Sequence, residues 1–316
     1  MEAVYRCARC GAPLPVTPET IVSICEYCGY PNPIQGVVSE DDVYVLPAIS
    51  QDSALREFWR IVKSDFDLRR LAREIDVFNV RGVYVPVWLG EVRVRGKISY
   101  YRRKVEDDKV KYVFYVDEVD DVMIVPLVAR RQVAAIGVSE ALNSLSKDVI
   151  DRSVKLKDVP VGEWETIRLD VLNTEFDKRA ASLRIREDAI DILRGKYRRK
   201  ADGIDAMVVE ASEPRGLKLL LLPIWQVYYR CRGSIYQVFL AGWSGYVLVK
   251  TEPVTPFRRA LYVAGTLISI LASSLIGAFV LASKEVKLGQ ILFLILPLTI
   301  SYYLSSRIVA GVRVER

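Results

Sequence analysis

Residues 257–309 read FRRALYVAGTLISILASSLIGAFVLASKEVKLGQILFLILPLTISYYLSSRIV, and two uncharged apolar runs stand almost back to back in them, Ala260 to Ser283 and Leu288 to Ser306. A helix needs roughly 20 apolar residues to cross a bilayer's hydrocarbon core, so both runs are long enough to span. The competing assignment is a pair of buried core helices. Such helices usually carry a polar stripe, whereas the polar groups here are almost all Ser, Thr, Gly and Tyr among aliphatics. The stretch 257–316 therefore reads as a two-helix membrane hairpin, with spans at about 260–283 and 288–306.

Flanking charge sets the expected orientation. Arg258, Arg259, Arg307, Arg313 and Arg316 lie outside the hairpin, against Lys284 and Lys287 in the short connection. The bias is modest and places both ends in the cytosol. Gly265, Ser269, Ser273 and Gly277 recur at every fourth position of the first run, a stripe of small residues where another helix backbone can approach closely. The second run or a second copy of the chain fits that stripe. Pro297 falls within the second run and predicts a kink there. Neither run contains Asp, Glu, Lys or Arg, which argues against an ion or solute pathway.

Everything before Arg258 is charged and patterned like a water-facing head. The net charge of +6 and pI near 9.0 suit an anionic partner, nucleic acid or lipid headgroups. With an anchor already in hand, lipid needs fewer assumptions. The chain opens on polar residues and a cysteine pair rather than a signal peptide, so the head is expected in the cytosol. His is absent, and Asn and Gln are scarce beside abundant charge, a composition that fits a thermophilic host.

The sharpest motif is at the N-terminus. Cys7-Ala8-Arg9-Cys10-Gly11 and Cys25-Glu26-Tyr27-Cys28-Gly29 are two C-x-x-C-G turns. Each presents two sulfurs from one tight turn, and the Gly after the second Cys allows a backbone conformation that other residues resist. In a reducing compartment, metal is a better account of them than disulfides. Cys7, Cys10, Cys25 and Cys28 are therefore expected to close a tetrahedral structural zinc site over residues 1–30, with no position open for water. Zinc ribbons bind nucleic acid or protein alike, and Arg6 and Arg9 do not decide between them.

Residues 31–42 read as a linker, and a strand follows at Val43 to Leu46. A helix is expected from Ser53 to Ile75, with Leu55, Phe58, Trp59, Val62, Phe66 and Leu71 on one face and Arg56, Arg60, Lys63, Arg69, Arg70 and Arg73 on the other. An internal repeat comes next. Val85-Pro86-Val87-Trp88 is followed by Arg95-Gly96, and Leu222-Pro223-Ile224-Trp225 by Arg232-Gly233. Each copy predicts an alternating strand running from its Pro start to a Gly turn, preceded by a helix. The head is then an α+β fold of two related units with antiparallel sheets, residues 43–150 and 151–256. Further strands are expected at Val110 to Val116, Val122 to Val128 and Ala206 to Lys250, and a helix at Thr174 to Gly195 capped by Thr174. Lys196, Arg198, Arg199 and Lys200 follow that helix as the densest basic cluster. They suit phosphate or headgroup contact, or plain solvation.

The two C-x-x-C-G turns, the P-[VI]-W strands and the ending Gly242-Trp243-Ser244-Gly245-Tyr246-Val247 together resemble a family of prokaryotic membrane proteins with a transcription-factor-B-type zinc ribbon at the N-terminus, often labelled helicase-like. In that family the last hairpin usually reads Asn-Gly-x-Thr-Gly. Here it reads Ala241-Gly242-Trp243-Ser244-Gly245, with both glycines kept. The resemblance transfers no catalytic residues. Some bacterial members look like membrane anchors for band-7 (flotillin-like) and phage-shock-type stress proteins, which implies a scaffold role here. The helicase label fails on this chain, which lacks a G-x-x-x-x-G-K-[ST] phosphate loop.

Three function classes are compatible with different parts of this sequence. An enzyme is disfavoured: the chain has no His, no G-x-S-x-G elbow, no H-E-x-x-H pair and no dinucleotide Gly cluster. A non-catalytic scaffold that recruits protein partners to the inner membrane face is the expected function. The alternative is a membrane-tethered nucleic-acid binder using the ribbon and residues 196–200. Self-association through the small-residue stripe remains open beside either.

Overall fold

Alternating β-branched and aromatic residues on either side of the Pro-Trp motifs build most of this protein, a mixed α+β structure with a large sheet and, among the described residues, seven α-helices. The computed structural model describes residues 5–16, 20, 22–28, 30–34, 40–106, 109–130, 137–160, 169–172, 174–282, 288–309 and 312–315. In chain order the elements begin with β1 (Val22–Ile24), β2 (Pro31–Pro33), β3 (Val43–Val45), α1 (Gln51–Ser64) and α2 (Leu68–Leu71). The long strands β4 (Ile75–Glu106) and β5 (Lys109–Val128) follow, then α3 (Val138–Asn143), α4 (Lys147–Asp151), β6 (Val154–Lys155) and β7 (Asp170–Val171). Next are α5 (Lys178–Lys200), β8 (Gly203–Ala211), β9 (Arg215–Cys231), β10 (Ser234–Ala241) and β11 (Val247–Pro253). The chain closes with α6 (Pro256–Ala282), α7 (Leu288–Val309) and β12 (Val312–Glu315).

Two compact units are interleaved along the sequence. One comprises Met1–Leu55, Val80–Gln226 and Phe239–Leu248; the other comprises Arg56–Asn79, Val227–Val238 and Val249–Arg316. The stretches 43–150 and 151–256 each contribute to both.

In the first unit, β4 and β5 form one continuous antiparallel ribbon, in register from Val87↔Val128 to Glu106↔Lys109. The two strands expected at Val110 to Val116 and Val122 to Val128 are thus one. No turn forms at Gly96 either. β4 runs through it, and β8 pairs alongside as Gly96↔Val209. At φ +149°, with Val208 O only 2.1 Å from where a Cβ would stand, this position admits only Gly. The second copy does turn, with Arg232 and Gly233 both at positive φ.

The two Trp motifs are buried in the same way. Trp88 and Trp225 are 0% and 2% exposed, and their indole N–H groups donate to the carbonyls of Phe176 and Ile49, each at 3.0 Å. Satisfying that one polar atom is what lets so large a ring enter a core. Residues Leu219 to Leu222 are also fully buried, and β9 pairs in parallel with β3 (Val43↔Leu219), as β4 does with β7 (Val83↔Asp170). The expected purely antiparallel sheet therefore needs correcting. A continuous apolar run covered on both faces is what parallel pairing tends to show.

Helix α5 buries Ala181, Ile185, Ala189, Leu193 and Tyr197, one residue per turn. Its cap is Asp177, whose side chain accepts from Ala180 N, rather than Thr174. The helix passes Gly195 and ends at Lys200, so the basic cluster forms its last turn.

In the second unit, the helix expected from Ser53 to Ile75 stops at Ser64 and resumes as α2. Asp65 Oδ1 accepts from the backbone N–H groups of Asp67 and Leu68, a local turn that competes with helix continuation. Phe66 is consequently exposed rather than on the apolar face. Helix α6 contains a segment, Phe257–Val280, that is long and apolar enough to cross a membrane, with mean hydropathy 2.1. Its side chains Leu271, Leu275 and Phe279 are 62%, 72% and 70% exposed, which a soluble core helix would not show. After α7, β12 pairs antiparallel with β11, from Lys250↔Glu315 to Pro253↔Val312. Both ends of the helical pair are therefore joined to the same strand.

Candidate metal centre

Each C-x-x-C turn folds for a local reason. Gly11, at φ +77°, lets the chain reverse so that its N–H donates to Cys7 O at 2.9 Å, and Cys7 N–H donates to Ala12 O at 2.8 Å. In the second turn Cys25 N–H donates to Tyr30 O at 3.0 Å; Gly29 lies outside the described residues. The strands β1 and β2 pair antiparallel behind them (Val22↔Pro33), so residues 31–33, expected as linker, belong to this small sheet.

The four sulfurs of Cys7, Cys10, Cys25 and Cys28 all lie within 4.8 Å of one another, placed to hold one metal ion. Cys7 and Cys28 approach to 3.6 Å and Cys10 and Cys25 to 3.5 Å. Cys7 and Cys25 are buried, Cys28 half-buried and Cys10 exposed. Their environments differ. Burial would raise the Cys7 thiol, yet hydrogen bonds from the backbone of Cys10 and Arg9 and from Asn32 bring it down to about 6. Burial pushes Cys28 up to about 12, and the neighbouring sulfurs of Cys10, Cys7 and Cys25 add to that rise. One thiolate thus opposes the next, and a cation held among the four would relieve that repulsion, with release of protons.

Asn32 is the functional residue that spacing alone does not reveal. It is 4% exposed, accepts from Ala8 N–H at 2.8 Å, and donates through Nδ2 to Tyr30 O at 2.7 Å and towards Cys7 Sγ at 3.6 Å. One amide thereby joins both turns and orients a ligand sulfur. Outer partners of this kind typically carry 10–100-fold in metal affinity. Asn32→Ala is expected to weaken metal binding by about that factor, read by competition against a chromophoric chelator. Unchanged affinity would show that Asn32 only packs.

The other candidate residues fall elsewhere. Lys196 reaches Asp121 at 3.1 Å, and Lys200 reaches Asp117 at 2.6 Å and covers the Tyr100 ring at 4.8 Å. Tyr197 donates to the same Asp117 at 2.9 Å, and burial pushes its hydroxyl up to about 12. Two of the four basic groups are thus engaged by the β4–β5 ribbon, while Arg198 and Arg199 face solvent. Asp120 and Asp121 are part of the same pattern: hydrogen bonds from Arg93 and Arg95 hold the Asp120 carboxyl at about 2. In the helical pair, Ser269 donates to Pro297 O and Ser273 to Ser269 O, and a Cβ on Gly265 would stand 3.0 Å from Leu304. The small-residue stripe therefore meets α7 at Gly265 and Ser269, and Ser273 is buried one turn further on. Gly277 is half-buried.

No protein-family model matches this chain, and neither the curated proteins nor the solved structures contain a match to it.

Proposed function

We propose that this protein is a membrane-anchored, non-catalytic scaffold whose head recruits a protein partner to the inner membrane face. The observation that carries this is the free edge of the large sheet. β5 is 20 residues long and pairs only with β4 among the described residues. On one face of its distal half, Val110, Tyr112, Phe114 and Val116 are 55–66% exposed. A long edge with an apolar row is normally blunted or covered, because it offers unpaired backbone groups to another chain. An extended segment of a partner adding a strand there fits both the backbone and the side-chain row.

The anchor in this proposal is α6 with α7 as a second span, both ends on the head's side. Its support is the β11–β12 pairing, which returns the chain to the strand it left. The metal is zinc. Tetrahedral Zn–S bonds of about 2.3 Å imply sulfurs about 3.8 Å apart, close to the separations of the two nearest pairs. Four protein ligands leave no site for catalytic water. The resemblance to ribbon-bearing membrane proteins that accompany band-7 and phage-shock-type proteins points the same way, as does the absence of His.

A photo-crosslinker at Phe114 in the full chain, irradiated in membranes, is expected to give one discrete protein adduct. Val113→Pro, which obstructs strand addition, should abolish it. If the detergent-solubilised chain instead binds DNA or RNA with steep salt dependence and no adduct forms, the tethered nucleic-acid binder is the better account.

A further inference from the structure

The first turn of α6 is clamped to the turn that leads into α2. Asp67, whose side chain is 3% exposed, takes an ion pair from Arg258 and a hydrogen bond from Thr255 Oγ1 at 2.9 Å. Asp65 Oδ2 takes Lys250 Nζ at 3.1 Å, and Glu252 also contacts Lys250 at 3.1 Å. Buried Lys250 and half-buried Arg258 thus answer the acids of this corner, of which Asp67 and Glu252 are buried.

What remains on its outer side is cationic and aromatic. Phe66 and Phe257 stand 5.9 Å apart and are 48% and 46% exposed. The Arg70 guanidinium lies 4.1 Å from the Phe66 ring centre and 5.0 Å from that of Phe257. Arg69, Arg70 and Arg259 are all exposed, and none takes part in an ion pair among the described residues.

We infer that Phe66, Arg69, Arg70, Phe257 and Arg259 form a binding site for anionic phospholipid headgroups where α6 enters the bilayer. This rests on α6 being a membrane span. The apolar segment begins at Phe257 itself, so the headgroup layer falls at this level. Apolar Phe rings flanked by Arg suit the boundary between headgroups and acyl chains, where the rings meet the chains and the cations meet the phosphates. An Arg held over aromatic faces keeps its planar donor fork free and already ordered, the geometry that matches a phosphate. A solvated basic helix face would explain Arg69 and Arg70 alone. It does not explain two half-exposed Phe rings gathered around one guanidinium beside a membrane helix.

The test uses the full chain in nanodiscs of mixed phosphatidylglycerol and phosphatidylcholine, with retained lipid read by native mass spectrometry. The parent chain should keep phosphatidylglycerol in preference to phosphatidylcholine. Arg69→Ala/Arg70→Ala/Arg259→Ala should lower that preference at least about tenfold, since each cation near an anionic surface contributes several-fold to binding. Arg70→Lys, which keeps the charge but loses the fork, should fall between. Arg198→Ala/Arg199→Ala should leave the preference intact. A parent chain with no preference, an equal loss in the Arg198/Arg199 variant, or displacement of the lipid by millimolar inorganic phosphate overturns the site while leaving the span standing. A parent chain that will not enter nanodiscs and stays soluble alone overturns the span, and the site with it.

Discussion

A Cys7→Ser or Cys28→Ser chain is expected to purify without metal, where the parent carries one zinc per chain. The loss should disorder residues 5–34. Binding of structural zinc is worth about 10–16 kcal/mol in isolated ribbon-sized peptides, and little else holds this segment: β1 and β2 are three residues each. The remaining fold should persist, because its largest buried side chains, Trp88, Trp225, Tyr84 and Tyr229, lie outside the segment. β1 does lie against β7, so a small decrease in melting temperature is expected. Metal content by emission spectroscopy and exchange protection of 5–34 against 80–226 measure the two parts separately. Iron in place of zinc would correct the metal, and collapse of protection throughout 80–226 would show that the head depends on the ribbon.

The second large effect concerns the repeat. Trp88→Ala and Trp225→Ala should each destabilise the head by about 3–5 kcal/mol, part of it from the Phe176 and Ile49 carbonyls left without their indole donors. In a chain of this size that corresponds to a fall in melting temperature of roughly 10 °C, readable by near-ultraviolet circular dichroism in detergent. Comparable losses at the two positions are what equivalent motifs require. A loss under about 1 kcal/mol at either one would show that a neighbouring side chain fills its place, and the equivalence would fail.

How much of this was legible beforehand depended on range. The four cysteines, the two Trp strands and the apolar run of α6 are local patterns whose chemistry follows from residue type and spacing. The hairpin at Ala241 to Tyr246 was legible for the same reason: Gly245 takes φ +74° and Ala241 N–H donates to Tyr246 O. Asn32 was hidden because its partners Ala8 and Cys7 are 24 and 25 residues away, and an Asn between two prolines looks like any loop. β12 was hidden because four alternating residues are too few to be read as a strand; its partner exists only because α7 brings the chain back. The parallel pairing of β3 with β9 is likewise non-local. The break at Asp65 was readable in principle, since an Asp followed by Phe-Asp offers a local acceptor to the backbone. The apolar periodicity running through Phe66 masked it.

Recruitment to a membrane depends on α6 and α7 crossing the bilayer as a hairpin whose two ends stay beside the head. Protease protection of membrane vesicles carrying the full chain, tagged at both termini and washed at alkaline pH, tests this most directly. The chain should remain in the membrane pellet after washing. In vesicles with the cytosolic face outward, both tags should be cleaved, and a fragment of about 256–309 should survive. Release of the intact chain into the supernatant, or protection of one terminal tag alone, would contradict the account.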